Sequence, residues 1–275
     1  MTHTSILRGL CIVVAALVIA VAGIGITLEK NARGPTVVEV MGPATSTSSS
    51  SSSTTSSTST STSSSSTTST TVPAEPAGTT LRRGDKGPAV AALQRRLHAL
   101  GYWLGARNDA FGPLTEQAVT AFQKVEGLAP DGVAGPATHA ALSVADRPST
   151  AAAGDLIEVD KERQVLLIVR GGEVAWVLNT STGTELPYRV GGRTELADTP
   201  VGRWKVAWAV DGVDVGELGA LYRPRYFHAD GIAVHGYHSV PAYPASHGCV
   251  RLTEAAMDWL WAEDLMPMGS VVWVH

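Results

Sequence analysis

Apolar residues change their spacing three times along this 275-residue chain, and each change marks a different kind of segment. From Gly9 to Leu28 they run on without a charge for about 20 positions, which at about 1.5 Å per helical residue matches a bilayer core of roughly 30 Å. A single membrane-spanning helix is predicted there. Ala20-Val21-Ala22, behind Arg8, also fits a signal-peptide cleavage site; because the apolar run continues through Ile24, Ile26 and Leu28, an uncleaved anchor is preferred. Thr45 to Thr71 is Ser and Thr alone, with nothing to bury against the entropy of ordering. That tract is predicted to be a disordered spacer.

Helical spacing begins next. Val90, Leu93, Leu97 and Leu100 form one stripe that ends at Gly101, and a second stripe of Leu114, Ala118, Val119 and Phe122 follows Pro113. A third, short helix runs from Gly135-Pro136 to Ala141-Leu142, and Asn108-Asp109 and Asp131-Gly132 read as turns. After a second linker the period drops to two. DLIEVD alternates, QVLLIVR is β-branched and apolar, Gly171-Gly172 marks a hairpin, and EVAWVLNT, VGRWKVAWAV, GIAVHG and SVVWVH continue as strands. Only TEAAMDWLWAED reads as a helix, with Thr253 as its cap. These shifts divide the chain into a cytoplasmic segment 1–8, the anchor or signal peptide 9–28, a linker 29–78, a three-helix module 79–144, a linker 145–154 and a mainly β domain with one helix at 155–275.

Charge narrows the partners. The formal net charge is −4, with no basic stretch interleaved with aromatics, so nucleic acid is not an expected partner. Residues 79–149 carry 8 basic and 6 acidic groups, whereas 155–275 carry 10 and 16, which makes the helical module the part suited to an anionic polymer. Two cysteines rule out a disulfide framework, and Cys11 falls inside the apolar run.

The chemistry gathers in RPRYFHADGIAVHGYHSVPAYPASHGCVRL, where His228, His235, His238 and His247 crowd towards Cys249. Cys249 as nucleophile with His235 as base is one reading, in which the amides of Gly248 and Cys249 face an oxyanion. Zinc held by some of the same side chains is the other. Spacing alone leaves both open.

Two resemblances bear on that choice. LRRGDKGPAVAALQRRLHALGYW, continued by DAFGPLTEQAVTAFQKVEGLAPDGVAGPATHAAL, resembles the three-helix peptidoglycan-binding domain type 1, with Asp109-Ala110 standing where the family usually has Asp-Gly. His235-Gly236 followed by Ser246-His247-Gly248-Cys249-Val250-Arg251 resembles the active-site signature of the L,D-transpeptidase catalytic domain (YkuD type). Ser181-Thr182-Gly183 and Thr199-Pro200-Val201-Gly202 are similar to its upstream motifs. The order of histidine before cysteine departs from papain-like enzymes, and no metal or cofactor is then expected.

The resemblance implies an L,D-transpeptidase-like β-sandwich. It implies that Cys249 attacks the diaminopimelate carbonyl of a donor tetrapeptide stem, releases D-alanine and passes the acyl group to a diaminopimelate amine of an acceptor stem, giving a 3,3 crosslink. His235 maps onto the general base, oriented by the Gly236 carbonyl. His247 polarises the thiol, helps hold the oxyanion or only shapes the loop, and Ser246 belongs to the same loop. Arg251 pairs with a substrate carboxylate or with an acid such as Asp230, while Tyr226, His228 and Tyr243 line the cleft or support the loop. Carbapenems are expected to acylate Cys249. Residues 9–28 would hold the enzyme at the cell membrane with its domains facing the wall. The rivals are an L,D-carboxypeptidase using water, a non-catalytic peptidoglycan-binding protein and a zinc peptidase.

Overall fold

The structure, a computed structural model, describes residues 79–275. The expected N-terminal segment, anchor and Ser/Thr linker lie outside the described residues, among which no helix is long and apolar enough to cross a membrane.

Three helices open the described chain: α1 (Pro88–Ala99), α2 (Pro113–Val125) and α3 (Pro136–Val144). Each starts at a proline behind a glycine N-cap, Gly87, Gly112 or Gly135, with no side-chain cap. Proline loses nothing at that position because its missing N–H would have had no helical partner. Two buried glutamines repeat the same device. Gln94 Oε1 accepts from the amides of Asn108 and Asp109 while its Nε2 donates to Ala110 O; Gln123 Oε1 accepts from the Gly132 amide while its Nε2 donates to Val133 O. The positive φ of the first loop falls on Asp109 (φ 54), so alanine is tolerated at 110 where the family pattern has glycine. Within α2, Thr115 takes the buried place expected for Leu114, which is half-buried.

The β-rich region contains two five-stranded sheets. The first has the order β3 (Glu173–Asn179), β2 (Val165–Arg170), β1 (Leu156–Asp160), β12 (Val271–Val274), β6 (Gly202–Lys205), with β1 and β12 parallel. The second has the order β11 (Val250–Thr253), β10 (Ala233–Tyr237), β9 (Gly219–Tyr226), β7 (Trp208–Ala209), with β8 (Val213–Gly216) also on β9. A separate hairpin joins β4 (Pro187–Val190) to β5 (Arg193–Leu196). Helix α4 (Glu254–Ala262) begins where the Thr253 hydroxyl accepts from the Ala256 amide. VGRWKVAWAV serves both sheets: β6 ends at Lys205, and Ala207 already donates to Tyr226 O on β9.

Every residue of β1 is buried. Ile157 and Val159 pack with Leu166, Val234, Val250, Leu252 and the apolar side of α4. Leu156, Val165, Leu167, Val174 and Val177 pack instead with Leu93, Leu97, Tyr102 and Phe122 of the helical module. Module and first sheet thus share one apolar core. A parallel bridge of Tyr102 to Val177 covers the β3 edge, with Trp103 N donating to Val177 O at 3.0 Å and Val177 N to Gly101 O at 2.8 Å. Trp103 stacks on Trp259 of α4 with ring centroids 5.1 Å apart.

Lys124 of α2 makes the deepest contact. Its buried ammonium donates to Gln164 O (2.8 Å), Asn179 Oδ1 (2.5 Å) and Thr180 O (3.1 Å). Burial lowers its pKa to about 7, while three acceptors match the three hydrogens of the charged form.

Candidate active site

The site lies on the parallel pair β10–β11. Val234 is opposite Val250 and His235 opposite Arg251, so the odd-numbered residues of both strands share one face. On β11 the even positions Val250 and Leu252 are fully buried, which leaves Cys249, Arg251 and Thr253 on the outer face with His235 and Tyr237. Cys249 and His235 are diagonal neighbours across this pair, a spacing that side chains of their size reach across.

His235 is buried, and its Nδ1 lies 2.9 Å from Gly236 O. A carbonyl only accepts, so Nδ1 carries the proton and Nε2 presents a lone pair. Burial, helped by the Arg251 charge, lowers the imidazole to about 4, so it is neutral at physiological pH. Cys249 is half-buried and donates to Gly231 O at 3.8 Å. Burial pushes its thiol up, against the Ala233 amide and the Arg251 charge, which pull it down. At rest the pair is therefore thiol and neutral imidazole.

The Cys249 loop is held from both ends. Ser246 Oγ donates to Cys249 O (2.5 Å) and accepts from the Gly248 amide (3.0 Å). That amide is thus committed to Ser246, which corrects the expectation that it faces an oxyanion together with the Cys249 amide. Thr199 Oγ1 donates to Gly248 O (2.6 Å) and accepts from Gly183 N (2.9 Å). Gly248 has φ 135, and a Cβ there would lie 2.6 Å from Asp198 O. Ser181 Oγ donates to Tyr243 O, Arg251 N donates to Ser181 O, and Thr180 Oγ1 donates to Arg251 O. The segment 180–183 thereby clamps β11, and Lys124 grips that segment at Thr180.

The remaining expected residues divide. Tyr226 is buried, stacks on Trp208 and donates its hydroxyl to Asp214; burial and that bond, with the Cys249 charge contributing, raise its pKa. His228 packs edge-on against Trp204 with ring centroids 4.5 Å apart. The alternative pairing of Arg251 with Asp230 does not form, because Asp230 lies 3.4 Å from His228 Nδ1. Arg251 instead lies over the Tyr237 ring at 4.2 Å, with its Nε buried and without a hydrogen-bond partner. Tyr243 is exposed and meets the loop through its carbonyl. His238 is exposed beside Tyr237. His247 is exposed and packs on Tyr188 of the β4–β5 hairpin, centroids 4.7 Å apart.

Tyr188 was not expected from the sequence. Burial and nearby charges, Glu195 and Cys249 among them, raise its pKa, and its ring packs on His247, two residues before Cys249. Gly191-Gly192 between two short alternating runs was the available sign of its hairpin. Among the described residues, no three His, Cys, Asp or Glu side chains converge as metal ligands.

Comparison with known proteins places this geometry. Residues 154–274 match the L,D-transpeptidase catalytic domain (YkuD), and residues 86–142 match the peptidoglycan binding domain. The solved L,D-transpeptidase of Xylanimonas cellulosilytica is 45% identical with a TM-score of 0.69, over 74% of this chain and 100% of that one. Among curated proteins, the N-acetylmuramoyl-L-alanine amidase CwlL of Bacillus licheniformis is 48% identical over 69 residues, and the zinc D-Ala-D-Ala carboxypeptidase of Streptomyces albus G is 49% identical over 63. The matched segments span 24% and 22% of this chain, and only 19% and 24% of those proteins. A cysteine at the mouth of one strand and a carbonyl-oriented histidine on its parallel neighbour, in a fold matched over the whole of a solved relative at 45% identity, show that this chain belongs to the L,D-transpeptidase family.

Proposed function

We propose that this protein is a cysteine-dependent L,D-transpeptidase that forms 3,3 crosslinks in peptidoglycan. The observation that carries the reading is the shared outer face of β10 and β11, where a neutral His235 with Nδ1 tied to Gly236 O stands diagonally across from the Cys249 thiol. In the first step His235 Nε2 takes the thiol proton as Sγ bonds to the diaminopimelate carbonyl carbon. The C–N bond to the terminal D-alanine breaks, and the proton passes to the departing amine. An acceptor amine then attacks the thioester, forms the new amide and returns the thiol.

Arg251 is assigned to a stem carboxylate on the strength of its bare, buried Nε. Ser246 and Thr199 shape the loop, and His247 with Tyr188 closes one side of it. The domain limits of this reading remain 79–144 and 155–275, joined by 145–154, with residues 9–28 holding the enzyme at the membrane and its domains in the wall.

The test combines intact-mass spectrometry with product analysis. Incubation with a disaccharide tetrapeptide should yield a thioester adduct on Cys249 and crosslinked dimers, and a carbapenem should give a stable adduct. Cys249→Ala should abolish both adducts with an unchanged unfolding curve. Tripeptide in place of dimer would identify hydrolysis, and full activity of Cys249→Ala would end the proposal.

A further inference from the structure

We infer that the groove between α2 and the loop 238–242 holds the sugar to which the donor stem is attached, so that the helical module and the catalytic domain bind one substrate jointly. The inference rests on the transpeptidase reading and specifies its donor. The groove has a volume of about 510 Å³, with Arg83 and Glu116 on the module side and His238 and Ser239 on the catalytic side. Its floor is fixed. Gln117 Nε2 donates to Val240 O at 3.2 Å, and Asn179 Nδ2 donates to Gln117 Oε1 at 2.6 Å and to Val240 O at 3.0 Å. A cavity floored by such a network needs no ordering when a ligand arrives.

Its lining suits a saccharide. A guanidinium, a carboxylate, an imidazole and a hydroxyl offer donors and acceptors on both walls, while Pro113 and Pro241 supply flat apolar surface for a pyranose face. Arg83 Nη1 and Glu116 Oε2 pair with each other at 3.4 Å, which leaves the remaining guanidinium hydrogens and carboxylate oxygen, with exposed His238 and Ser239, to meet hydroxyl groups.

Spacing decides which sugar. Thr253 lines the groove at the end of β11 and Cys249 comes immediately before that strand, four residues away, a distance of about 13 Å in extended chain. A donor that loses its fourth residue has three residues between its sugar and the scissile carbonyl. Extended, these span about 10–11 Å, to which the short lactyl bridge adds roughly 3 Å. The groove therefore lies one stem length from the thiol, with Arg251 two residues from each along the chain.

Isothermal titration of the full chain carrying Cys249→Ala tests this, with a disaccharide tetrapeptide and the same tetrapeptide without sugar as probes. The sugar should tighten binding about ten-fold, worth about 1.4 kcal/mol. Ser239→Trp, which fills the groove, and Arg83→Ala, which strips one wall, should each reduce that gain to less than about two-fold and leave the bare tetrapeptide unmoved. Should Ser239→Trp unfold the chain, the exposed Arg83 carries the test, joined by hydrogen exchange, where only the sugar-bearing probe should protect 238–242 and 113–120. Equal affinities for the two probes, or a sugar gain that survives Arg83→Ala, would overturn the inference. Dimer formation by the unmodified enzyme without a sugar gain removes the groove alone, whereas groove-dependent sugar binding without thioester or dimer removes the transpeptidase reading alone.

Discussion

Replacing Lys124 by methionine tests whether the helical module is a working part of the catalytic site. The substitution keeps length, apolar stem and helix propensity, and deletes the buried ammonium that donates to Gln164 O, Asn179 Oδ1 and Thr180 O. Gln164 O retains the Thr180 amide, so two acceptors lose their donor. Each stranded acceptor costs about 1–3 kcal/mol, partly offset because an ammonium no longer has to be desolvated. A net loss of about 3 kcal/mol is expected, read by calorimetry as a Tm fall of roughly 6–12 °C for a protein of this size. The same change loosens Thr180, whose hydroxyl holds Arg251 O, and Ser181, which holds Tyr243 O, so kcat should fall about ten- to a hundred-fold. Lysine at 124 has a folded pKa of about 7, below its unfolded value, so the parent should gain stability as pH rises from about 7 to 10 while the methionine variant does not share that rise. A variant with parental Tm and kcat would refute the claim that this contact supports the site.

Two other perturbations follow from the same geometry. With His235 lowered to about 4, kcat/KM should hold down to about pH 5 and collapse near pH 4, and an acid limb near 6.5 would contradict the buried neutral base. Since the unfolded imidazole binds its proton near 6.5, stability should drop by about 3 kcal/mol as pH falls from 6.5 to 4, a slope that His235→Asn should remove in acid denaturation at the cost of about 10²–10⁴-fold in rate. Gly248→Ala should lower kcat about a hundred-fold, because its Cβ would meet Asp198 O at 2.6 Å and Ile232 Cδ1 at 2.8 Å and so displace the peptide that precedes Cys249; unchanged kinetics would show that the loop has slack.

The helices were legible because their starts are marked by Gly-Pro and their stripes by helical spacing, both local signals. His235 and Cys249 were legible as a motif, and the parallel pairing of β10 with β11 is what brings them together. Long-range partners were not. DLIEVD alternates as a half-exposed strand should, yet Glu158 and Asp160 are buried, Glu158 against His275 Nε2 at 3.0 Å and Asp160 against Arg163 at 2.7 Å. Period-two alternation predicts one wet face, and here that face is covered from outside the strand, by Thr150 of the linker, whose hydroxyl donates to Glu158, by His275 and by Arg163. The choice of Arg251 for Tyr237 over Asp230, and the approach of Tyr188 to His247, depend on loop paths that carry no periodic signal.

The shared core has a practical corollary for anyone trimming this enzyme. Cutting ahead of residue 154, at the edge of the matched catalytic region, would bare Leu156, Val165, Leu167 and Val177 together with the open rim of β3. Such a fragment should clump or swap strands, and its feeble turnover would be blamed on the chemistry when the fault is a missing wall.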